Sequence, residues 1–191
     1  MPKGSHPEID ENPVLNASGH TLYMQLIGVM QCLIVIGRAD IKFAIMSLSR
    51  FSACPRKAQL NACIRACSYL KMFPESSIRI DHRNLPGEIF EGVEEPDECF
   101  KDSYPDAFEE LASMFPAGRG PELQTSVWFD SDHAHDTRTR HSCSGVIVFV
   151  GRTPVMWSSK RQPVIQASSY GAEFMAGRTA TQQAISIRYM L

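Results

Sequence analysis

Two short stretches carry the acidic residues that could perform chemistry in this chain. The first is Val127-Trp128-Phe129-Asp130-Ser131-Asp132, where an apolar run ends in carboxylates; the second is residues 168–176, where a helical pattern presents Glu173. Carboxylate oxygens are the ligands that Mg²⁺ prefers, and two Mg²⁺ ions about 4 Å apart can activate water and stabilise the leaving oxygen of a phosphodiester. The pattern therefore indicates a magnesium site between a strand end and a helix.

A predicted βββα unit positions these carboxylates. Short apolar or β-branched runs predict strands at residues 126–129, 143–150 and 155–158. From Ser169 the apolar period changes to that of a helix, whose stripe consists of Ala172, Met175, Ala176, Thr179, Ala180, Ala184, Ile187 and Leu191. We expect one antiparallel sheet, with the helix packed across it through Met175, Ala176 and Ala180.

The first part of the chain is helical by pattern. A helix can begin at residue 20 or 21 and end at Gly37, and Asp40 is a suitable N-cap for a second helix through Phe51. Residues 77–81 indicate a short strand. A third helix is expected after the break at Pro55, with an apolar stripe formed by Leu60, Cys63, Ile64, Cys67 and Leu70.

Composition indicates a globular protein. Of 191 residues, 43% are hydrophobic and 21% are charged, which does not match a disordered chain. The longest apolar run, residues 26–36, is interrupted by Gln31 and is shorter than the roughly 18 residues that span a bilayer, and the first residues lack a signal-peptide pattern. We therefore expect an intracellular protein without a membrane partner, and reduced cysteines.

Charge is unevenly distributed along the chain. Residues 1–80 hold nine Lys/Arg and five Asp/Glu, residues 81–124 hold three and twelve, and residues 125–191 hold seven and four. The acidic block is rich in Pro and Gly and lacks sustained periodicity, so it is interpreted as a mobile linker. The predicted units are thus a helical segment at 20–80, a linker at 81–124 and a mixed α/β domain at 125–191.

Other acidic and histidine residues have alternative interpretations. Asp132 and Asp136 are either further metal ligands or, as we favour, loop carboxylates. His133, His135 and Asp136 superficially offer a zinc site, but imidazoles two residues apart in a loop are common without metal.

The remaining candidates divide between surface and core. Exposed cations could contact nucleic-acid phosphates or be solvated turn residues, and these are Arg138, Arg140, Lys160 and Arg161. Cys63 and Cys67 share a helix face but have no second ligand pair, so core packing is favoured over metal binding. Trp128 and Trp157 are also predicted to be core residues.

Several of these stretches resemble copia-type LTR retrotransposon polyproteins. The end of their reverse transcriptase and its connection are similar to YMQLIG (23–28), GRADI (37–41), LSRFSACP (48–55) and YLK (69–71). Their RNase H domain is similar, in order and spacing, to FDSD (129–132), TRHSCSG (139–145), WSSKRQP (157–163) and SSYGAEFMA (168–176). The resemblance covers about residues 22–80 and 125–191.

The resemblance implies an RNase H-like fold that hydrolyses the RNA strand of an RNA/DNA hybrid during reverse transcription. Asp130 matches the first catalytic carboxylate and Glu173 the second, both as ligands of Mg²⁺ or Mn²⁺, with Asp132 as a further candidate ligand. The implied partners are the hybrid and the remainder of a Pol polyprotein. The family's third carboxylate follows this helix, beyond Leu191, so the domain is expected to be incomplete and inactive as it stands.

The chain also departs from the family pattern within these motifs. The family has an aromatic residue where His133 stands and an acidic residue where Gly171 stands, which removes a capping box with Ser168. The alternative function is accordingly a non-catalytic nucleic-acid-binding or connection-type domain of a degenerate retroelement. The metal-binding module built on His133, His135 and Asp136 is a third hypothesis.

Overall fold

The computed structural model describes residues 7–86 and 123–191, with a few isolated positions between them. The described residues combine helix and sheet, as predicted. They form four α-helices and one three-stranded antiparallel sheet: α1 (Ala17–Ile36), α2 (Lys42–Ser49), α3 (Lys57–Met72), β1 (Thr125–Asp132), β2 (Cys143–Val150), β3 (Thr153–Arg161) and α4 (Ser169–Arg188). Most of the predicted linker lies outside the described residues.

The first helix begins earlier than predicted, because Asn16 caps it. The Asn16 side-chain oxygen accepts a hydrogen bond from the Gly19 N–H at 2.9 Å, which satisfies one of the free donors of the first turn. The helix ends at Gly37, as predicted, whose φ of 140° is readily adopted only by glycine. By length and composition α1 could cross a membrane, which is weak evidence, since core helices meet the same criterion.

A first core joins α1, α2 and α3. Its buried members are Tyr23, Ile27, Met30, Ile34, Ile41, Ile45, Leu48 and Cys63. Cys67 packs against this cluster, so the interpretation of the two thiols as packing residues is confirmed, whereas Ile64 turns outward. Burial also raises the pKa of Cys63 to about 12, which keeps this thiol neutral.

Two local predictions in the first part of the chain are wrong. Asp40 does not cap α2; it lies in a 3₁₀ turn, Ala39–Ile41, where it forms an ion pair with Arg38 at 2.8 Å. Residues 77–81 form no strand, because their backbone joins no ladder. Asp81 instead donates its N–H to Thr153 Oγ1 at 2.8 Å.

The sheet has the strand order β1-β2-β3, and the three strands predicted after residue 125 are confirmed, with longer bounds for β1 and β3. The helix α4 packs on one face of the sheet, against β1 and β2. The buried residues of α4 are Ala172, Ala176, Ala180 and Ile187. They face the sheet, where Val146 and Val148 of β2 are buried. The predicted stripe is therefore confirmed except at its end. Leu191 lies beyond the helix and is exposed.

The acidic block begins and ends beside the turn between β2 and β3. Arg152 donates its N–H to the Asp81 carbonyl at 3.1 Å, and Gln124 donates its N–H to Asn84 Oδ1 at 3.1 Å. At Gly151, φ is 57° and an added Cβ would lie 2.8 Å from the Arg83 carbonyl oxygen. Only glycine allows the chain to pass this close.

The helical part and the sheet are joined by a buried ion pair. The carboxylate of Asp136, in the loop after β1, is fully buried and contacts the guanidinium of Arg50 at the end of α2. Arg161 approaches the same carboxylate at 3.9 Å. Beside this pair, the Trp157 Nε1–H donates to the Ile34 carbonyl at 3.2 Å, which fixes β3 against α1.

Replacing Arg50 should destabilise the protein more than replacing an exposed arginine. Arg50→Met leaves the buried Asp136 carboxylate with the distant Arg161 as its cation beside the loop N–H groups, and breaking a buried pair costs about 3 kcal/mol. The matched change Arg65→Met, on the exposed side of α3, should alter the free energy of unfolding by less than about 0.5 kcal/mol. Urea unfolding of both variants measures the difference, and equal effects would show that the ion pair does not hold the two parts together.

The contribution of this pair should disappear in acid. Burial alone raises the pKa of Asp136, but hydrogen bonds from Thr139 and Arg50 outweigh it, so the pKa lies below its usual range. The unfolded chain, whose Asp has a pKa of about 3.9, then binds the proton more readily than the folded protein. The stability gap between the wild type and Arg50→Met should be full at neutral pH and should shrink below about pH 4. Urea titrations at several pH values check this, and a constant gap down to about pH 2 would contradict it.

Candidate carboxylate site and cation cluster

Asp130 lies on the face of the sheet that looks towards α2. In β1 it is paired with Gly145 of β2, which is paired with Ser159 of β3. Residues two apart in a strand share a face, so Trp128 and Asp132 lie on the same side as Asp130. Together they line a cavity of about 590 Å³ between the sheet and α2.

Glu173 lies in the first part of α4, on the other side of β1. It lines a second cavity, of about 630 Å³, with Phe129, Tyr170 and Phe174. A Cβ added to Gly177 would lie 3.2 Å from the Phe129 ring, which shows how closely α4 approaches this strand. Asp130 is not among the residues that line this second cavity, so the two predicted ligands open onto different cavities. Their roles as metal ligands stay predictions.

The Ser168 cap of α4 forms without the acidic partner that the family has. The Ser168 hydroxyl accepts a hydrogen bond from the Gly171 N–H at 3.1 Å. Glycine at this position has no side chain that could bond back to Ser168, so only half of a capping box is present. Glu173 is therefore placed by packing of the alanine stripe rather than by a complete cap.

The predicted zinc ligands are engaged with separate partners. His135 Nδ1 and Asp132 Oδ2 lie 2.7 Å apart, His133 Nε2 lies 3.1 Å from the Gln166 carbonyl, and Asp136 is paired with Arg50. Within the described ranges, no three His, Cys, Asp or Glu residues are grouped so that they could hold a metal ion. The zinc interpretation is therefore not supported.

Asp136 organises the loop that carries two of the predicted phosphate-binding cations. Its Oδ1 accepts hydrogen bonds from the Arg138 N–H at 3.0 Å and the Thr139 N–H at 2.9 Å. The Arg140 N–H donates to the Asp136 carbonyl at 2.7 Å, and Arg140 has a positive φ of 59°. An Asp whose carboxylate accepts from the next N–H groups is a common turn former, and this local pattern could have identified the role from sequence.

The structure brings all four predicted cations to one end of the sheet. Arg161 is paired with Cys143 and Lys160 with Ser144 at the end of β3, next to the loop that carries Arg138 and Arg140. All four residues are exposed. Arg138 and Arg161 are also held from within the protein, by the Glu8 carbonyl at 3.4 Å and by Asp136 at 3.9 Å.

The two tryptophans that line the first cavity, both predicted to be core residues, are buried to different extents. Trp128 was predicted to be a core residue, but half of its surface (51%) is exposed, because α4 packs on the opposite face of β1. Trp157 is partly buried against the helical core.

Burial raises the pKa of Cys143, which lines the same cavity, to about 11, so its thiol is neutral and unsuited to binding a cation.

The chain is similar to Pol polyproteins of plant transposons. It is 24% identical over 173 residues to the retrovirus-related Pol polyprotein from transposon RE2 of Arabidopsis thaliana, covering 91% of this chain and 9% of that one. It is 27% identical over 154 residues to the corresponding polyprotein from transposon RE1, covering 81% of this chain and 8% of that one. The chain thus spans less than a tenth of the length of these relatives.

A third relative matches a shorter stretch. An uncharacterised mitochondrial protein of Arabidopsis thaliana is 38% identical over 58 residues, covering 30% of this chain and 24% of that protein. No family model matches the chain, and no solved structure matches it significantly. The two long alignments confirm the resemblance predicted from the sequence: the chain is similar to a part of retrotransposon Pol polyproteins.

Proposed function

We propose that this chain is an RNase H-type module of a retrotransposon-derived Pol protein, and that it binds RNA/DNA hybrid without hydrolysing it. The observation that carries the proposal is the antiparallel β1-β2-β3 sheet with α4 packed on one face, within a chain similar to transposon Pol polyproteins. This is the βββα order expected of an RNase H-like fold, and it contains Asp130 and Glu173 at the positions that match the family's carboxylates. The proposed RNase H-like fold and the proposed binding of the hybrid both rest on this observation.

The proposal is limited to binding because a two-magnesium centre needs several oxygen ligands around two ions about 4 Å apart. Asp130 and Glu173 line different cavities, and Asp132 is hydrogen-bonded to His135. Within the described ranges, no three His, Cys, Asp or Glu residues are grouped so that they could hold a metal ion. The roles of Asp130 and Glu173 as metal ligands therefore stay predictions, and no hydrolytic step is assigned to them.

The cation cluster supports contact with a phosphate backbone. Exposed arginine and lysine side chains supply most of the affinity for nucleic acid, and they need only reach phosphates to do so. Arg140 and Lys160 are exposed, and Arg138 and Arg161 flank them at the same end of the sheet. An A-form hybrid presents its backbone and 2′-hydroxyls across a wide, shallow minor groove, which a surface of this kind could follow.

Neutralising two of these cations should weaken hybrid binding in a salt-dependent way. Arg140→Asn, which tolerates the positive φ, combined with Lys160→Gln, removes up to two phosphate contacts. The slope of log affinity against log salt concentration should fall by about one for each lost contact. Fluorescence anisotropy with a labelled RNA/DNA hybrid at several salt concentrations measures it. Arg65→Gln on α3 is the matched control, and an equal effect of the control would refute the proposed surface.

We expect negligible hydrolysis of the hybrid with Mg²⁺ or Mn²⁺, because two metal ions need more ligands than two carboxylates supply, and the described residues group no three that could hold a metal ion. A gel assay with a labelled RNA strand compares the wild type with Asp130→Asn and Glu173→Gln. Robust cleavage that both substitutions abolish would overturn the non-catalytic proposal. Cleavage that neither changes would assign the activity to a contaminant or to other residues.

A further inference from the structure

Carboxylates outnumber cations among the charged side chains that line the cavity between the sheet and α2. The lining includes Asp40, Asp130 and Asp132, together with the ammonium of Lys42. Arg38 neutralises Asp40 through two hydrogen bonds, at 3.0 and 2.8 Å. Two further guanidinium groups, of Arg50 and Arg161, lie near the cavity residue Cys143 and face Asp136.

Asp130 is the carboxylate that is free to receive a ligand. Asp132 is hydrogen-bonded to His135. In the part of the chain that the structure describes, no side chain forms a hydrogen bond or ion pair with the Asp130 carboxylate, and this residue is exposed. A cation that entered the cavity could thus pair with Asp130 without displacing a protein group.

Aromatic rings surround this carboxylate. Trp128, two residues before Asp130, exposes half of its surface (51%), and Phe43 exposes 38%. The Phe43 ring is held edge-to-face on His135, with centroids 5.1 Å apart, and Trp157 is fixed by its hydrogen bond to Ile34. Exposed aromatic faces beside a carboxylate attract organic cations, best of all when the ring is tryptophan.

The floor of the cavity is a glycine in the middle of the central strand. A Cβ added to Gly145 would meet no atom within 4 Å, so the space above it is open. Glycine weakens a strand interior and often marks a place where a ligand approaches the backbone. Gly145 lies in the sheet between Asp130 and Ser159, so this open space is next to the unpaired carboxylate.

We propose that this cavity binds the guanidinium group of an arginine side chain presented by a partner polypeptide. A planar, weakly hydrated guanidinium can stack on Trp128 while it donates two hydrogen bonds to Asp130, and a compact ammonium cannot do both. Its three-carbon stem matches the apolar part of the lining, which includes Ile147 and Trp157. The one carboxylate without a protein partner, Asp130, fits a single cation rather than a polyamine.

The test is titration of the full chain with the peptide Ac-Gly-Arg-Gly-NH₂, in EDTA so that no divalent metal competes for Asp130. Two-dimensional NMR should show the Trp128 indole N–H signal moving with the peptide concentration. The isosteric citrulline peptide, which lacks the charge, should bind at least about tenfold more weakly, and the lysine peptide should fall between them. Free arginine should bind more weakly than the arginine peptide, because the carboxylate of free arginine would be repelled by the carboxylate of Asp130.

Two substitutions in the cavity test whether the arginine peptide binds there. Asp130→Asn removes the charge, and Gly145→Val fills the floor with a β-branched residue that a strand accommodates well. Each should weaken the arginine peptide about tenfold, whereas the exposed Glu75→Gln, outside the cavity, should leave its affinity unchanged. Retained chemical shifts in the first helical core confirm that the variants fold.

Equal binding of the citrulline and arginine peptides would overturn the proposal, and so would equal binding to Gly145→Val and the wild type. The inference goes beyond the proposed function, because its ligand is a peptide side chain and its assay contains no nucleic acid. Failure of hybrid binding would leave the peptide result intact, and failure of peptide binding would leave the cation cluster untouched.

Discussion

The buried pair between Arg50 and Asp136 is the interaction on which the arrangement of this protein depends. It joins the end of α2 to the loop after β1, and the same carboxylate caps the backbone of that loop. A buried carboxylate without its cation would be costly, so the helices and the sheet are obliged to meet at this point. The loop that carries Arg138 and Arg140 is organised by this carboxylate, and the cavity between the sheet and α2 lies where the two joined parts meet.

The two faces of the sheet are covered to different extents, because α4 packs closely against one of them. One face carries Val146 and Val148 opposite the small residues of α4, so helix and sheet approach closely and exclude water. The other face carries Trp128 and Asp130 and meets the helical part where β3 contacts α2 and where Trp157 donates a hydrogen bond to Ile34. The second contact is narrow, and the space beside it remains as the cavity.

Positive and negative side chains lie on different surfaces of this part of the protein. The four cations collect at the end of the sheet around the loop that Asp136 organises, whereas the carboxylates Asp130 and Asp132 open into the cavity. Phosphates are attracted to the first surface and repelled from the second. Under the proposed function, a nucleic-acid backbone would therefore contact the cation cluster and not the cavity.

The sequence alone determined the elements, because they depend on local periods and caps: the β-branched run at 143–150, the alanine stripe of α4 and the stop at Gly37 are readable without any partner. It also carried the resemblance to Pol polyproteins in short ordered motifs. Only the tertiary structure decided that Trp128 is exposed, that Asp136 pairs with a residue 86 positions away, and that Asp130 and Glu173 open onto different cavities. These facts depend on which face of β1 each helix covers, and no local pattern encodes that choice.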